Sequence, residues 1–130
     1  MKSLLLILRT PSPQFISTAP SAPPANVRGN NVSSTSIAVY WDELPLNDQN
    51  GVITSYNICY KAVAGGFKRP ATENCISVSG ASTKTVTIPA LEKYVLYNIT
   101  VAAITGVGEG PKSSGTSVRT AEDSKFEKVD

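Results

Sequence analysis

Apolar and polar side chains alternate along several short stretches of this chain. In residues 36–41, SIAVYW, the positions of Ile37, Val39 and Trp41 alternate with smaller or more polar ones. A period of two is that of a strand with one face buried, so these stretches are predicted to be half-buried strands. Other members of the pattern are Ile53, Tyr56, Ile58 and Tyr60, Ile76 and Val78, Val86 and Ile88, Tyr97, Ile99, Val101 and Ala103, and Val118.

Turn-forming residues separate these stretches at short intervals. Asn50-Gly51 and Gly65-Gly66 are strong turn signals, and further Gly, Asn, Pro and Ser clusters follow. No segment keeps an apolar repeat of about 3.6 residues for long. The pattern therefore predicts an all-β, antiparallel two-sheet sandwich of about seven strands, with Trp41 as an anchor of its core.

The ends of the chain have a different composition from its middle. Residues 1–20 are predicted to be a disordered leader or linker, because residues 10–24 are rich in Pro, Ser and Thr. The apolar run SLLLIL at residues 3–8 is shorter than the core of a working signal peptide, so it is interpreted as a possible truncated signal. The domain itself is expected at residues 21–121, followed by a charged tail at 122–130.

Composition excludes several classes of function. The formal net charge of +2 gives no basis for binding a nucleic-acid backbone. Histidine is absent, which removes histidine-based acid–base catalysis, and two cysteines do not make a four-ligand zinc site. The acids in residues 42–48 lack the spacing of a calcium loop, and GVGEG at 106–110 lacks the lysine and helix of a phosphate loop. We expect no catalysis, no cofactor, no metal and no small-molecule substrate.

Residues in both halves of the chain carry a family resemblance. The residues that carry the resemblance in the first half are Pro23-Pro24, Asn26, Val27, Ile37, Val39, Trp41, Asn50-Gly51, Ile53, Tyr56, Ile58 and Tyr60. Those in the second half are Leu91, Tyr97, Ile99, Val101, Ala103, Gly106, Gly108, Gly110-Pro111, Ser113, Val118, Thr120 and Glu122-Asp123. Through these residues the stretch 21–123 resembles a fibronectin type III domain. The resemblance implies an immunoglobulin-like sandwich in which strands A, B and E face strands C′, C, F and G. It also makes Tyr97 a tyrosine corner, with its hydroxyl bonded back to the chain near Leu91.

The two cysteines fall on neighbouring predicted strands. A hairpin register that places Ile58 opposite Ile76 also places Cys59 opposite Cys75, on the outward face, and Lys61 opposite Glu73. Residues directly opposed in an antiparallel pair lie within the separation that a disulfide tolerates. We therefore predict a Cys59–Cys75 disulfide; the alternative is two free surface thiols in an intracellular protein.

Two triplets fit the acceptor pattern for N-glycosylation. Asn31-Val32-Ser33 is expected in the exposed connection between the first two strands, and Asn98-Ile99-Thr100 lies in a strand whose alternation turns Asn98 outward. A glycan at Asn98 would shield the face that carries Cys59. The alternative for each asparagine is an unmodified polar residue on a solvated surface.

These features favour a non-catalytic, extracellular interaction and spacer module of a modular cell-surface receptor or cell-adhesion protein, of the kind found in receptor-type tyrosine phosphatases. The alternatives are a repeat of a secreted matrix protein and an intracellular scaffold module of the muscle giant-protein type. The expected partners are proteins or neighbouring repeats of the same chain, with a membrane reached through the parent protein alone. The loops at 42–50 and 105–111 are the first candidates for a contact surface.

Overall fold

The fold is that of a computed structural model, which describes residues 18–65 and 72–122. Within these ranges the chain forms seven strands and one helical turn. The elements are β1 (Ala25–Ser33), β2 (Ser36–Asp42), α1 (Leu46–Gln49), β3 (Ile53–Gly65), β4 (Asn74–Ser79), β5 (Thr85–Ile88), β6 (Val95–Thr105) and β7 (Thr116–Arg119). The turn α1 lies in the segment that was expected to be an irregular loop.

The strands form two antiparallel sheets. One sheet has three strands in the order β1-β2-β5, and the other has four in the order β4-β3-β6-β7. This arrangement confirms the predicted all-β sandwich and its division into three strands facing four. Residues 1–17 of the leader, Gly66 and residues 123–130 of the charged tail lie outside the described residues.

The register of the β3–β4 hairpin agrees with the prediction at each paired position. Tyr56 lies opposite Val78, Ile58 opposite Ile76 and Cys59 opposite Cys75. The expected pairing of Lys61 with Glu73 is not formed, because the ladder ends at Tyr60 and the Glu73 carboxylate meets the Lys112 ammonium at 3.4 Å instead.

The core lies between the two sheets and is centred on an aromatic pair. The rings of Trp41 and Tyr56 are 5.1 Å apart, centroid to centroid, and both side chains are buried. Alternating residues of both sheets surround them, as a sandwich requires. The remaining members of the core are Ile37, Val39, Leu44, Ile53, Ile58, Ile88, Leu91, Val95, Tyr97, Ile99, Val101, Ala103 and Val118.

Three small residues on the outward faces are also buried. Ala38, Cys59 and Ala102 lie on central strands and are at most 4% exposed. A short side chain between longer neighbours is covered by them, as Ala38 is between Asn30 and Thr87. Alternation therefore gives the face of a residue correctly, whereas neighbouring side chains decide how much of it water reaches.

Close packing brings β1 against β7 at one side of the sandwich. A Cβ added to Gly29 would lie 2.9 Å from the carbonyl oxygen of Ala38 and 3.2 Å from a methyl group of Val118. The Thr116 hydroxyl donates a hydrogen bond to the Val27 carbonyl across the same seam, at 3.1 Å. In residues 18–65 and 72–122 no helix has the length and apolar character needed to cross a membrane.

Candidate interaction surfaces

The loops at 42–50 and 105–111 meet the incoming chain at one end of the sandwich, which we call the entry pole. The Thr18 N–H donates to the Asn50 carbonyl at 2.8 Å, and the Thr18 carbonyl accepts from the Thr105 hydroxyl at 2.8 Å. Ser21 is bound to Asp48 through its N–H, at 2.8 Å, and through its hydroxyl, at 2.9 Å. Residues 18–20, which the sequence assigns to the leader, are therefore attached to both loops.

Exposed aliphatic side chains surround this junction. Leu46, Val52 and Val107 are 83%, 74% and 60% exposed, and none of the three belongs to an alternating set. Their positions next to loop turns gave no periodic signal, so the sequence did not single them out. Together they make the entry pole an apolar surface on which another protein surface can bury area.

The opposite end of the sandwich, which we call the exit pole, has a similar character. Val32, Val63 and Tyr94 are about half exposed there. The Tyr94 ring is covered on one face by the Arg119 guanidinium, 4.8 Å from the ring centroid. The segment that follows β7 is fixed here, since the Tyr94 N–H donates to the Ala121 carbonyl at 3.2 Å.

The outer face of the four-stranded sheet carries the disulfide. The sulfurs of Cys59 and Cys75 are bonded, with their Cα atoms 4.0 Å apart. Lys112 and Glu73 precede the two edge strands β7 and β4, so their ion pair reaches across β3 and β6. On the same face the Asn57 amide donates to the Glu109 carboxylate at 3.3 Å. These contacts leave this face largely polar and partly covered.

The disulfide sulfurs and a nearby carboxylate lie as close together as the ligands of a metal ion, but the bonded sulfurs are not available as ligands. Cys59, Glu73 and Cys75 each bring one sulfur or oxygen atom within 4.8 Å of the others. Cysteine binds metals as a thiolate, and both sulfurs are used here in the bond between them.

The two glycosylation candidates occupy different surroundings. Asn31 is exposed, but it lies within β1 opposite Ile37 and not in the connection where the sequence placed it, since that connection is reduced to a tight turn. Its amide donates to the Arg119 carbonyl at 2.9 Å. Asn98 is half-buried on the outer face of β6, with its amide against the Cα of Gly115. Whether either carries a glycan remains a prediction.

The predicted core and corner residues lie toward opposite ends of the sandwich: Trp41 directly precedes the loop at 42–50 of the entry pole, whereas Leu91 and Tyr97 lie near the exit pole. Trp41, Leu91 and Tyr97 are all buried. The Tyr97 hydroxyl oxygen accepts a hydrogen bond from the Glu92 N–H at 2.9 Å, one residue beyond Leu91. The contact fixes the chain that crosses from β5 to β6.

The outer face of the three-stranded sheet holds a small charged cluster. The Asn26 amide donates to the Asp42 carboxylate at 2.7 Å, and Arg28 lies 3.4 Å from the same carboxylate. The Asn26 hydrogen bond, aided by the Arg28 charge, lowers the pKa of Asp42 below its usual 3.8. A shallow open groove of about 420 Å³ borders this cluster. A second groove of about 300 Å³ follows the seam near Pro23 and Ser113, and no charged side chain lines it.

Comparison with known proteins identifies the domain. Residues 22–119 match the fibronectin type III domain. The chain is 41% identical over 107 residues to protein sidekick-1 of Gallus gallus, and 41% identical over 106 residues to human receptor-type tyrosine-protein phosphatase F. Each match covers 82% of this chain and 5% of the relative, so the chain spans about one-twentieth of the length of these proteins.

Solved structures agree with the sequence comparison. The third fibronectin III domain of human KIAA0343 protein superimposes with a TM-score of 0.72 at 30% identity, covering 82% of this chain and 86% of that one. The FN5 domain of Drosophila Lar superimposes with a TM-score of 0.56 at 26% identity, covering 79% of this chain and 98% of that one. The match to the phosphatase falls on a domain of this non-catalytic class. The chain belongs to the fibronectin type III family.

Proposed function

We propose that this domain is a non-catalytic interaction and spacer module in the extracellular part of a modular cell-surface receptor or adhesion protein. The observation that carries the proposal is the distribution of exposed apolar surface. Within residues 18–65 and 72–122, the exposed large apolar side chains lie at the two poles, three at each, and the chain enters at one pole and leaves at the other. Such surfaces suit contacts with proteins or repeats that precede and follow the domain.

The spacer role rests on the attachment of the segments that precede β1 and follow β7. Thr18 and Ser21 are hydrogen-bonded to the loop at 42–50, and Ala121 bonds to both Ser33 and Tyr94. A body anchored in this way transmits the orientation of one neighbour to the next, whereas a free linker would not.

The extracellular location rests on chemistry that belongs outside the reducing cytosol. A disulfide such as Cys59–Cys75 persists in an oxidising compartment. Asn31 and Asn98 each open an acceptor triplet that is used in the secretory pathway. The two named relatives, one of them receptor-type by name, support the same assignment.

The spacer role is tested by the distance between residues 18 and 122, at the two poles of the domain. With dyes at positions 18 and 122, single-molecule energy transfer should give one narrow distribution, which broadens in denaturant. Thr105→Val removes the hydroxyl that binds Thr18 and should broaden the distribution. Thr87→Val, on the exposed face of β5, is the matched control and should leave it unchanged. A broad distribution in the native wild type would reject the spacer role.

The location is tested on chain secreted from a eukaryotic cell behind a supplied signal peptide. We expect no titratable thiol under denaturing, non-reducing conditions, and a mass that falls when glycans are removed. Asn31→Gln and Asn98→Gln assign the glycans to their sites. Two titratable thiols together with an unchanged mass would favour the intracellular scaffold instead.

A further inference from the structure

Among residues 18–65 and 72–122, the free edge of β4 lacks the protective features found at the other sheet edges. Edge strands are normally guarded by charge, proline, bulges or a covering element. Residues 74–79, NCISVS, carry no charge and no proline, and their ladder with β3 runs without a bulge. By contrast, β1 has two irregular positions and carries Arg28, β5 is followed directly by Pro89, and β7 carries Arg119.

The hydrogen-bonding pattern shows which backbone groups of β4 face outward. The Gly80 N–H donates to the Thr54 carbonyl at 2.9 Å, in the same register as the ladder. Hydrogen-bonded pairs alternate along an antiparallel ladder, so the intervening residues Cys75, Ser77 and Ser79 point their N–H and C=O groups away from β3. The 4.0 Å Cα separation of Cys59 and Cys75 agrees with this, because such pairs are the closer ones.

One of these outward groups already has a partner. The Ser79 carbonyl accepts a hydrogen bond from the Thr83 hydroxyl at 2.8 Å. In the described parts of the chain, 18–65 and 72–122, no backbone bond reaches the outward groups of Cys75 or Ser77. The disulfide fastens this strand to β3.

We propose that β4 pairs antiparallel with β4 of a second copy of the chain, across a two-fold axis at Ile76. In this register Cys75 and Ser77 of each copy exchange four backbone hydrogen bonds with Ser77 and Cys75 of the other, and the two four-stranded sheets become continuous. The half-buried Ile76 side chains meet at the axis. Because the strand is uncharged, self-pairing brings no like charges together within it.

The register makes a charge-specific prediction. It places Ser79 opposite Glu73 of the second copy, on the outer face. Ser79→Lys therefore adds two cross-copy ion pairs to the dimer, whereas Ser79→Glu adds two repulsive pairs. Ser79 is exposed, so neither substitution should alter the fold. We expect the dimer dissociation constants of the two variants to differ by about 2- to 30-fold at low salt.

The experiment is sedimentation equilibrium of the whole chain over a wide concentration range. The wild type should approach the mass of two chains as its concentration rises, with Ser79→Lys associating more tightly than Ser79→Glu. Ser77→Pro removes an outward N–H that β3 does not use and should abolish association without changing the thermal midpoint. A chain that stays monomeric, including one that instead captures a foreign extended peptide at β4, would overturn the proposal. Association that is equal in the two Ser79 variants would overturn it too.

Discussion

At the scale of single residues, Tyr56 shows how burial and hydrogen bonding act together. Its ring packs on Trp41, and its hydroxyl donates to the Ala81 carbonyl at 3.1 Å. Burial, reinforced by the negative charge of Glu43, raises the pKa of Tyr56 above its usual 10.0. The neutral phenol is therefore favoured in the folded state more than in the unfolded one.

This shift predicts a loss of stability at alkaline pH. Above pH 10 the unfolded chain ionises this tyrosine while the folded chain keeps it neutral, so the free energy of unfolding should fall as pH rises through the raised pKa. Tyr56→Phe removes this contribution. At pH 7 the wild type should be more stable by about 0.5–1.5 kcal/mol, the value of the Ala81 hydrogen bond. Urea unfolding should show this advantage shrinking above pH 10; a constant difference would contradict the assignment.

At the scale of elements, the β3–β4 hairpin combines three kinds of cross-strand contact in one register. Its inward pairs are apolar, its outward pair at Cys59 and Cys75 is covalent, and the open edge beyond Ser77 is bare backbone. Cys59 is 2% exposed, so the bond is anchored in the centre of the sheet. Cys75 is exposed on the edge strand. The disulfide therefore fastens β4, the outermost strand of its sheet, to β3.

Removal of the disulfide should measurably lower the free energy of unfolding. The bond closes a loop with a sequence separation of 16 residues, for which the chain-entropy relation gives about 3 kcal/mol. The double variant Cys59→Ala and Cys75→Ala should lose about this much unfolding free energy in urea. Reduced wild type is the matched control and should behave like the double variant. Equal stability of oxidised and reduced wild type would show that the bond contributes nothing.

At the scale of the whole molecule, local periodicity predicted an all-β sandwich of about seven strands, whereas the division into three strands facing four was implied by the family resemblance. Alternation assigned Trp41 and Tyr97 to the core side, and the requirement that apolar pairs face inward left one register for the hairpin. Each of these inferences uses contacts within or between adjacent strands. The spacing of apolar side chains along the sequence predicts such contacts directly.

The sequence pattern did not predict features that depend on contacts between distant parts of the chain. Asn31 falls in a strand because β1 continues through two irregular positions, and Glu73 meets Lys112 because the sheet brings its two edges within reach of long side chains. The attachment of Thr18 to Asn50 is made by backbone groups, which every residue possesses. The exposed Leu46 and Val107 stand in loops, where no period distinguishes buried from exposed positions.

The position of the disulfide within the chain has a mechanical consequence. When a domain of this fold is pulled through its first and last strands, the covalent loop from Cys59 to Cys75 lies between the two points of attachment. When the oxidised domain unfolds under force, the disulfide keeps the residues between Cys59 and Cys75 from extending. The bond therefore withholds roughly 50 Å of contour length, the length of these residues in a fully extended chain. The oxidised domain therefore gains less contour length on unfolding than its number of residues would give. Reduction of the disulfide would release the withheld length.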